Sequence, residues 1–334
     1  MLQFDGFQRL LEETLCKAIN DGKTSDERLE KLLQEKDTLV QDIADGFAAQ
    51  QYKALQEHAS SVLKEQRRER KGFEKCHYRL WKEGIDRLEF FLGIAYEVGE
   101  MFNNHYREEA AVANNCLFDA LTRLQARAVH IGFEALCLLR SGYADGAHAR
   151  WRTIHEIAVV INFLSEHKDV AKRYLEHEAI ESYKAILQHQ EHAEALGYDK
   201  LPDEDVSRLK DIRDQLCSDY GKQYANSYGW AAEVVGKKKP NISDIEKASG
   251  MNHLRPYYKM ASYSVHAGPK SIAFRLGIPD DMDVLLTGPS NYGLADPAQG
   301  VAISIFQATV PMINMRVSID CLVWSKLMSI LVDC

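Results

Sequence analysis

Apolar residues return at helical intervals over most of the chain, and no stretch shows a convincing two-residue alternation of the kind a half-buried strand needs. Phe4, Phe7, Leu11 and Leu15 share one helical face. Thr24, Ser25, Asp26 and Glu27 then read as a capping box opening a long helix, with a stripe from Leu29 through Leu33 and Ile43 to Phe47 that is narrow and set among charges. The spacing predicts an elongated, coiled-coil-like arm over residues 25 to about 82, with Gly46 and Gly72 as candidate breaks. Helices are predicted next at about 85–106, 111–141, 144–166 and 169–196.

Proline placement sharpens this pattern. All eight prolines lie at or beyond position 202, and proline breaks helix interiors, so the preceding stretch is predicted to be almost uninterrupted helix. Residues 202–296 are rich in proline and glycine and predict short helices joined by loops. Asp296-Pro297 reads as a cap with proline in the first helical position, opening a terminal helix that Pro311 should kink. The fold class predicted is all-α: a multi-helix bundle with an elongated N-terminal helical arm. The expected domains are an arm over residues 1–106 and a helical domain over 107–334 with a loop-rich insert at 202–296.

Composition narrows the function classes. The formal net charge of -8 confines any nucleic-acid contact to a local patch. Seven scattered cysteines, an odd number without a C-x-x-C pair, argue against a disulfide framework or zinc ribbon and fit a reducing cytoplasm. The opening MLQFDGFQRLLEETL lacks the basic and apolar regions of a signal peptide. Residues 297–334 are the most apolar, yet Gln307, Asn314, Arg316, Asp320 and Lys326 interrupt them short of the roughly 18 apolar residues a membrane helix needs. A cytoplasmic protein without membrane contact is expected.

The segment GAHARWRTIHEIAVVINFL, residues 146–164, loads its first half with charge and its second with apolar side chains. At about 100° per residue, His148, Arg152, His155, Glu156, Val159 and Phe163 fall on one side, and Ala147, Trp151, Ile154, Ala158 and Ile161 on the other. Both sides read as buried, so the polar cluster is expected to line a pocket or an interface, with Arg152 and Glu156 paired at i and i+4. An antiparallel hairpin with the next helix would bring His177, Glu178, Arg173 and Glu181 alongside. Farther on, Ser262 and His266 are four apart near a predicted helix end.

Arg150 and His155 match the Arg-x4-His form of the motif carried by the HEPN superfamily of helical, metal-independent ribonucleases. The chain also resembles an uncharacterised bacterial helical family with an Arg-x3-Glu helix, matched by Arg152 and Glu156, and a Ser-x3-His helix, matched by Ser262 and His266. The resemblance covers about residues 110–334. It implies an endoribonuclease effector of a toxin or phage-defence system, with no cofactor and no metal, acting on RNA such as tRNA. Under it, His155 would be general acid or base, Arg150 or Arg152 the phosphate clamp, and Glu156 and His266 further site members. It also implies a homodimer or larger oligomer and an antitoxin or defence-system partner protein.

Structural alternatives stand beside each assignment: a polar cluster for Arg150 and His155, a buried ion pair for Arg152 and Glu156, and helix-end packing for His266. The run KEQRRERKGFEKCHYRLWK, residues 64–82, carries eight basic and three acidic residues; Arg67, Arg68, Arg70 and Lys71 are its candidate RNA contacts, or else a solvated helix face. Gly22-Lys23-Thr24 lacks the rest of a P-loop, and no G-x-S-x-G or H-E-x-x-H occurs. A single Glu-x-x-His, Glu74 to His77, falls short of a di-iron bundle, and His189-x-x-His192 sits on a polar helix surface. A non-catalytic helical module that oligomerises and binds a protein partner remains the other reading.

Overall fold

Lys36–Val112 forms one helix, α1, in the computed structural model, which describes residues 8–9, 12–13, 16–17, 36–279 and 281–333. No break occurs at Gly46 or Gly72, since an exposed glycine costs a helix only about 1 kcal/mol and hydrogen bonding continues past it. The capping box at residues 24–27 and the stripe before Ile43 lie outside the residues whose side chains are described.

The chain divides into two compact units, Met1–Phe73 and Glu74–Cys334. In the first, the described side chains of α1 are mostly exposed, with Ile43 and Phe47 half-buried. In the second, Ile85, Leu88, Phe91, Leu92 and Val98 enter the core, so residues 85–106, expected in the arm, belong with the following helices. α1 ends where Asn114 takes a left-handed conformation (φ 49) that asparagine tolerates, and Asn115 caps the next helix by accepting from the Phe118 amide.

The core of the second unit is built on three helices: α2 (Cys116–Arg140), α3 (Ala144–Glu166) and, far along the chain, Ala295–Ile313, which packs against both. Between them come α4 (Ala171–Glu176), α5 (Glu178–His192), α6 (Asp203–Tyr220), α7 (Ala232–Val235), α8 (Ile242–Ala248), α9 (Arg255–Tyr263) and α10 (Pro269–Ala273), joined by turns and 3-10 segments. Ala295–Ile313 is α11 and Ile319–Asp333 is α12. The described residues contain no strand, and the all-α prediction holds. No helix among them is long and apolar enough to cross a membrane.

Two local details explain how α3 and α11 approach. A Cβ on Gly300 would come within 2.8 Å of the Trp151 indole, so only glycine lets that ring lie against α11, where its Nε1 donates to Ser304 Oγ at 3.0 Å. Pro311 has no N–H for the Gln307 carbonyl, and Asn162 Nδ2 of α3 donates to that carbonyl instead at 2.9 Å. Pro311 thus sits in the last turn of α11, and the expected single kinked terminal helix is two helices separated at Asn314–Ser318. The start of α11 also differs from expectation: Leu294 is the cap, and Asp296 and Pro297 lie inside the first turn.

Candidate functional site

Helix α3 is buried on both sides, as its wheel predicts. Ala147, Trp151, Ile154, Ala158 and Ile161 lie within the core, and so do His148 and His155 on the polar side. The turn before α3 makes this possible: Gly142 adopts φ 79, and the Asp145 carboxylate in the first turn accepts from the Leu276 and Gly277 amides, tying the 274–291 loop to the helix start. That loop is pinned again at its far end. Ser290 N donates to Gly142 O, and Asn291 bonds His77 through Oδ1 and Trp81 Nε1 through its carbonyl.

The partners of the α3 cluster come from α8 and α9. His155 is fully buried, and its Nε2 lies 3.1 Å from Glu246 Oε1, itself fully buried on α8. The second Glu246 oxygen accepts from Arg255 at 2.7 Å. Beside His155 on α3, Tyr258 donates to Glu156 Oε1 at 2.5 Å while accepting from Arg152 at 2.9 Å, and Arg152 and Glu156 stand 3.2 Å apart. The guanidiniums of Arg152 and Arg255 both lie 4.8 Å from the Tyr258 ring centre, within cation–π range. Two arginines therefore meet two glutamates around one tyrosine, a closed set in which each carboxylate has a cation.

Burial, with the Glu156 carboxylate adding to it, drives the Tyr258 hydroxyl far above the usual phenol range and pushes Tyr228 up to about 12. Both therefore keep their protons at neutral pH. His148 is pushed the other way, down to about 4, because burial disfavours its cation more than Asp296 and Asp145 stabilise it. It stacks on Trp151 at 5.2 Å between ring centres.

The remaining sequence-predicted residues do not join this cluster. Arg150 turns to Glu134 of α2 at 2.7 Å, as the roughly 140° between positions 150 and 155 on a helix requires. His266 lies beyond the end of α9 and is exposed, because the helix stops at Tyr263 and Ser264–Val265 form a turn. The expected neighbours on the following helices are engaged elsewhere: His177 Nε2 bonds the carbonyls of Tyr224 and Asn226, and Arg173 pairs with Glu233. The Arg152–Glu156 pair retains 22% and 29% side-chain exposure, so it is half-buried and not sealed in the core. Arg67, Arg68, Arg70 and Lys71 are exposed on α1 within the first unit, and Arg68 pairs with Glu65.

Glu246, Arg255, Tyr258 and Tyr228 are the residues that sequence reasoning missed. Glu246 stands in a seven-residue helix whose visible signature is the Asn241/Asp244 capping box, and nothing local marks a carboxylate there as buried. No group of three or more potential ligands among the described residues could hold a metal ion.

Residues 118–283 match the model of a family of unknown function (DUF5677), a span that contains the whole α3–α8–α9 cluster. No curated protein matches the chain, and no solved structure does.

Proposed function

We propose that this protein is a non-catalytic helical interaction module whose α3–α8–α9 charge cluster fixes the packing of the second unit. One observation carries this reading: His155, the best candidate for proton transfer, has no exposed surface and is held by Glu246, while Arg150 points to a different neighbour. A general acid must come within hydrogen-bond reach of the proton it moves, and a ribose or phosphate cannot approach a ring enclosed on every side. Exposed apolar side chains support a binding role. Ile272 on α10 and Leu285 on the 274–291 loop, which Asp145 and Asn291 hold in place, stand 79% and 95% exposed.

Incubation of the purified chain with total RNA in EDTA tests this reading. Intact RNA is the expected result, and a photo-crosslinker at Leu285 should join the chain to a protein in its native cell. The other reading, metal-independent RNA cleavage in a toxin or defence system, is favoured by the two part-exposed guanidiniums of Arg152 and Arg255, whose convergence on Tyr258 resembles a phosphate clamp. RNA ending in cyclic phosphates, formed by wild type but not by Arg152→Ala, would decide for it.

A further inference from the structure

A groove of about 560 Å³ opens between α1 and α2, where Gly99 packs against Gln125. Gln125 is only 3% exposed, and its Nε2 donates to Ala95 O at 2.9 Å and to Thr309 Oγ1 at 3.4 Å. A backbone carbonyl can only accept, so the amide nitrogen is fixed on that side. Oε1 is left against Gly99, with no donor among the described residues. A Cβ at position 99 would come within 2.4 Å of that oxygen, so glycine there keeps the carboxamide in place. A buried acceptor calls for a donor, and the groove is where one can arrive.

Charges of both signs stand nearby. Glu100, next to Gly99 on the α1 wall, is exposed and has no ion-pair partner among the described residues. Toward one end of the groove, Asp119 is the single carboxylate shared by Arg107 at 2.7 Å and Arg123 at 2.9 Å, which leaves a positive charge in surplus. Arg107 is held further by Asn103 and Thr122, whereas Arg123 bonds through Nε and its two outer nitrogens donate to nothing among the described residues. Thr122, which Arg107 touches, is three positions from Gln125 on α2, about 5 Å along the axis. Toward the other end the walls are apolar, with Tyr96, Val129 and Phe133.

We infer that this groove binds a free α-amino acid with an aromatic side chain. The ammonium group donates to Gln125 Oε1 and pairs with Glu100, the carboxylate meets the open fork of Arg123 beside Arg107, and the ring lies along Val129 between Tyr96 and Phe133. A carboxylic acid without the ammonium group leaves Oε1 and Glu100 unmatched. An amine without the carboxylate leaves two guanidiniums sharing Asp119. A molecule that carries both charges close together, with an apolar body to one side, answers every unpartnered group at once, and the groove has the size of a small-molecule site. The site shares no residue with the α3–α8–α9 cluster and holds equally for an enzyme, so RNA incubation and ligand titration fail independently.

Calorimetric titration of the full chain with L-phenylalanine, L-tyrosine and L-tryptophan is the test. Saturable binding of at least one of them, one molecule per chain, is expected. The analogue that lacks the ammonium group and the one that lacks the carboxylate, 3-phenylpropionate and 2-phenylethylamine in the case of phenylalanine, should each bind about tenfold or more weakly. Glu100→Gln should weaken the amino acid by a similar factor and leave the ammonium-free analogue unchanged. Arg123→Ala should weaken both of these and bind the carboxylate-free amine no less tightly than wild type. Both side chains are exposed, so the two variants keep the fold. Gly99→Ala, which forces the Gln125 carboxamide aside, should weaken the amino acid too. Failure of all three amino acids to bind at millimolar concentration overturns the proposal. Equal affinity for the ammonium-free analogue also overturns it, as does binding that survives both Glu100→Gln and Arg123→Ala, since the groove then takes up apolar matter alone.

Discussion

Helix α3 carries two arginines, two glutamates, an aspartate and two histidines, yet it lies in the middle of the core. Helix α12 has only Asp320, Lys326 and Asp333 as charges, yet most of one face stays in water. Surroundings account for the inversion. α3 lies against α2, α11, α8 and α9, and the last two bring Glu246, Arg255 and Tyr258 to meet its polar groups; α12 packs on α11, and among the described residues no element covers Ile319, Leu322, Val323 and Ile330. A charge enters a core when a neighbour supplies its partner, and an apolar stripe stays exposed when no neighbour is there to cover it.

The comparison breaks most readily at Glu246. Glu246→Ala strands the buried His155 ring and the Arg255 guanidinium, and should cost about 3–5 kcal/mol by denaturant unfolding. Glu246→Gln, which keeps one acceptor oxygen, should cost less. A loss near zero for the alanine variant would mean that the α8 carboxylate does not secure α3.

Acid titration sharpens the same point. The folded state holds His148 neutral down to about pH 4, while an unfolded histidine protonates near 6.5, so the unfolded state binds the extra proton first. The contribution is fully present above pH 6.5 and is lost as pH falls from there to about 4, on the order of 3 kcal/mol in all. Melting curves across this window should show the slope, and His148→Gln should flatten it.

Smaller effects follow toward the surface. Tyr258→Phe removes one hydrogen bond to Glu156 and one from Arg152 in a half-buried setting, and should cost about 1–2 kcal/mol in unfolding experiments. Arg150→Ala loses an ion pair open to water, worth about 0–1 kcal/mol, and should leave the fold intact. Val323→Asp, at a side chain 59% exposed, should change stability by no more than about 0.5 kcal/mol. A large loss there would mean that the outer face of α12 is covered within one chain, and the contrast with α3 would disappear.

Legibility varied with the range of the interaction. Helical spacing and proline placement located α2 and α3 to within a few residues, because both reflect forces acting within one or two turns. Boundaries failed where a single glycine or proline was read as decisive. Gly46 and Gly72 did not interrupt α1, and Pro311 could remain helical because Asn162, on another helix, bonds the carbonyl that proline leaves unused. The Arg152–Glu156 pair was legible from its i, i+4 spacing, whereas its half-exposure was not.

By itself, the sequence determined that residues 146–164 form a helix buried on both sides and that Arg150 and His155 point apart, since both statements need only the angle between residues about one axis. Tertiary structure alone decided what each side meets. Glu246 reaches His155 across 91 positions and Tyr258 reaches Glu156 across 102, and no local pattern records which distant carboxylate or phenol a long chain will fold back into place.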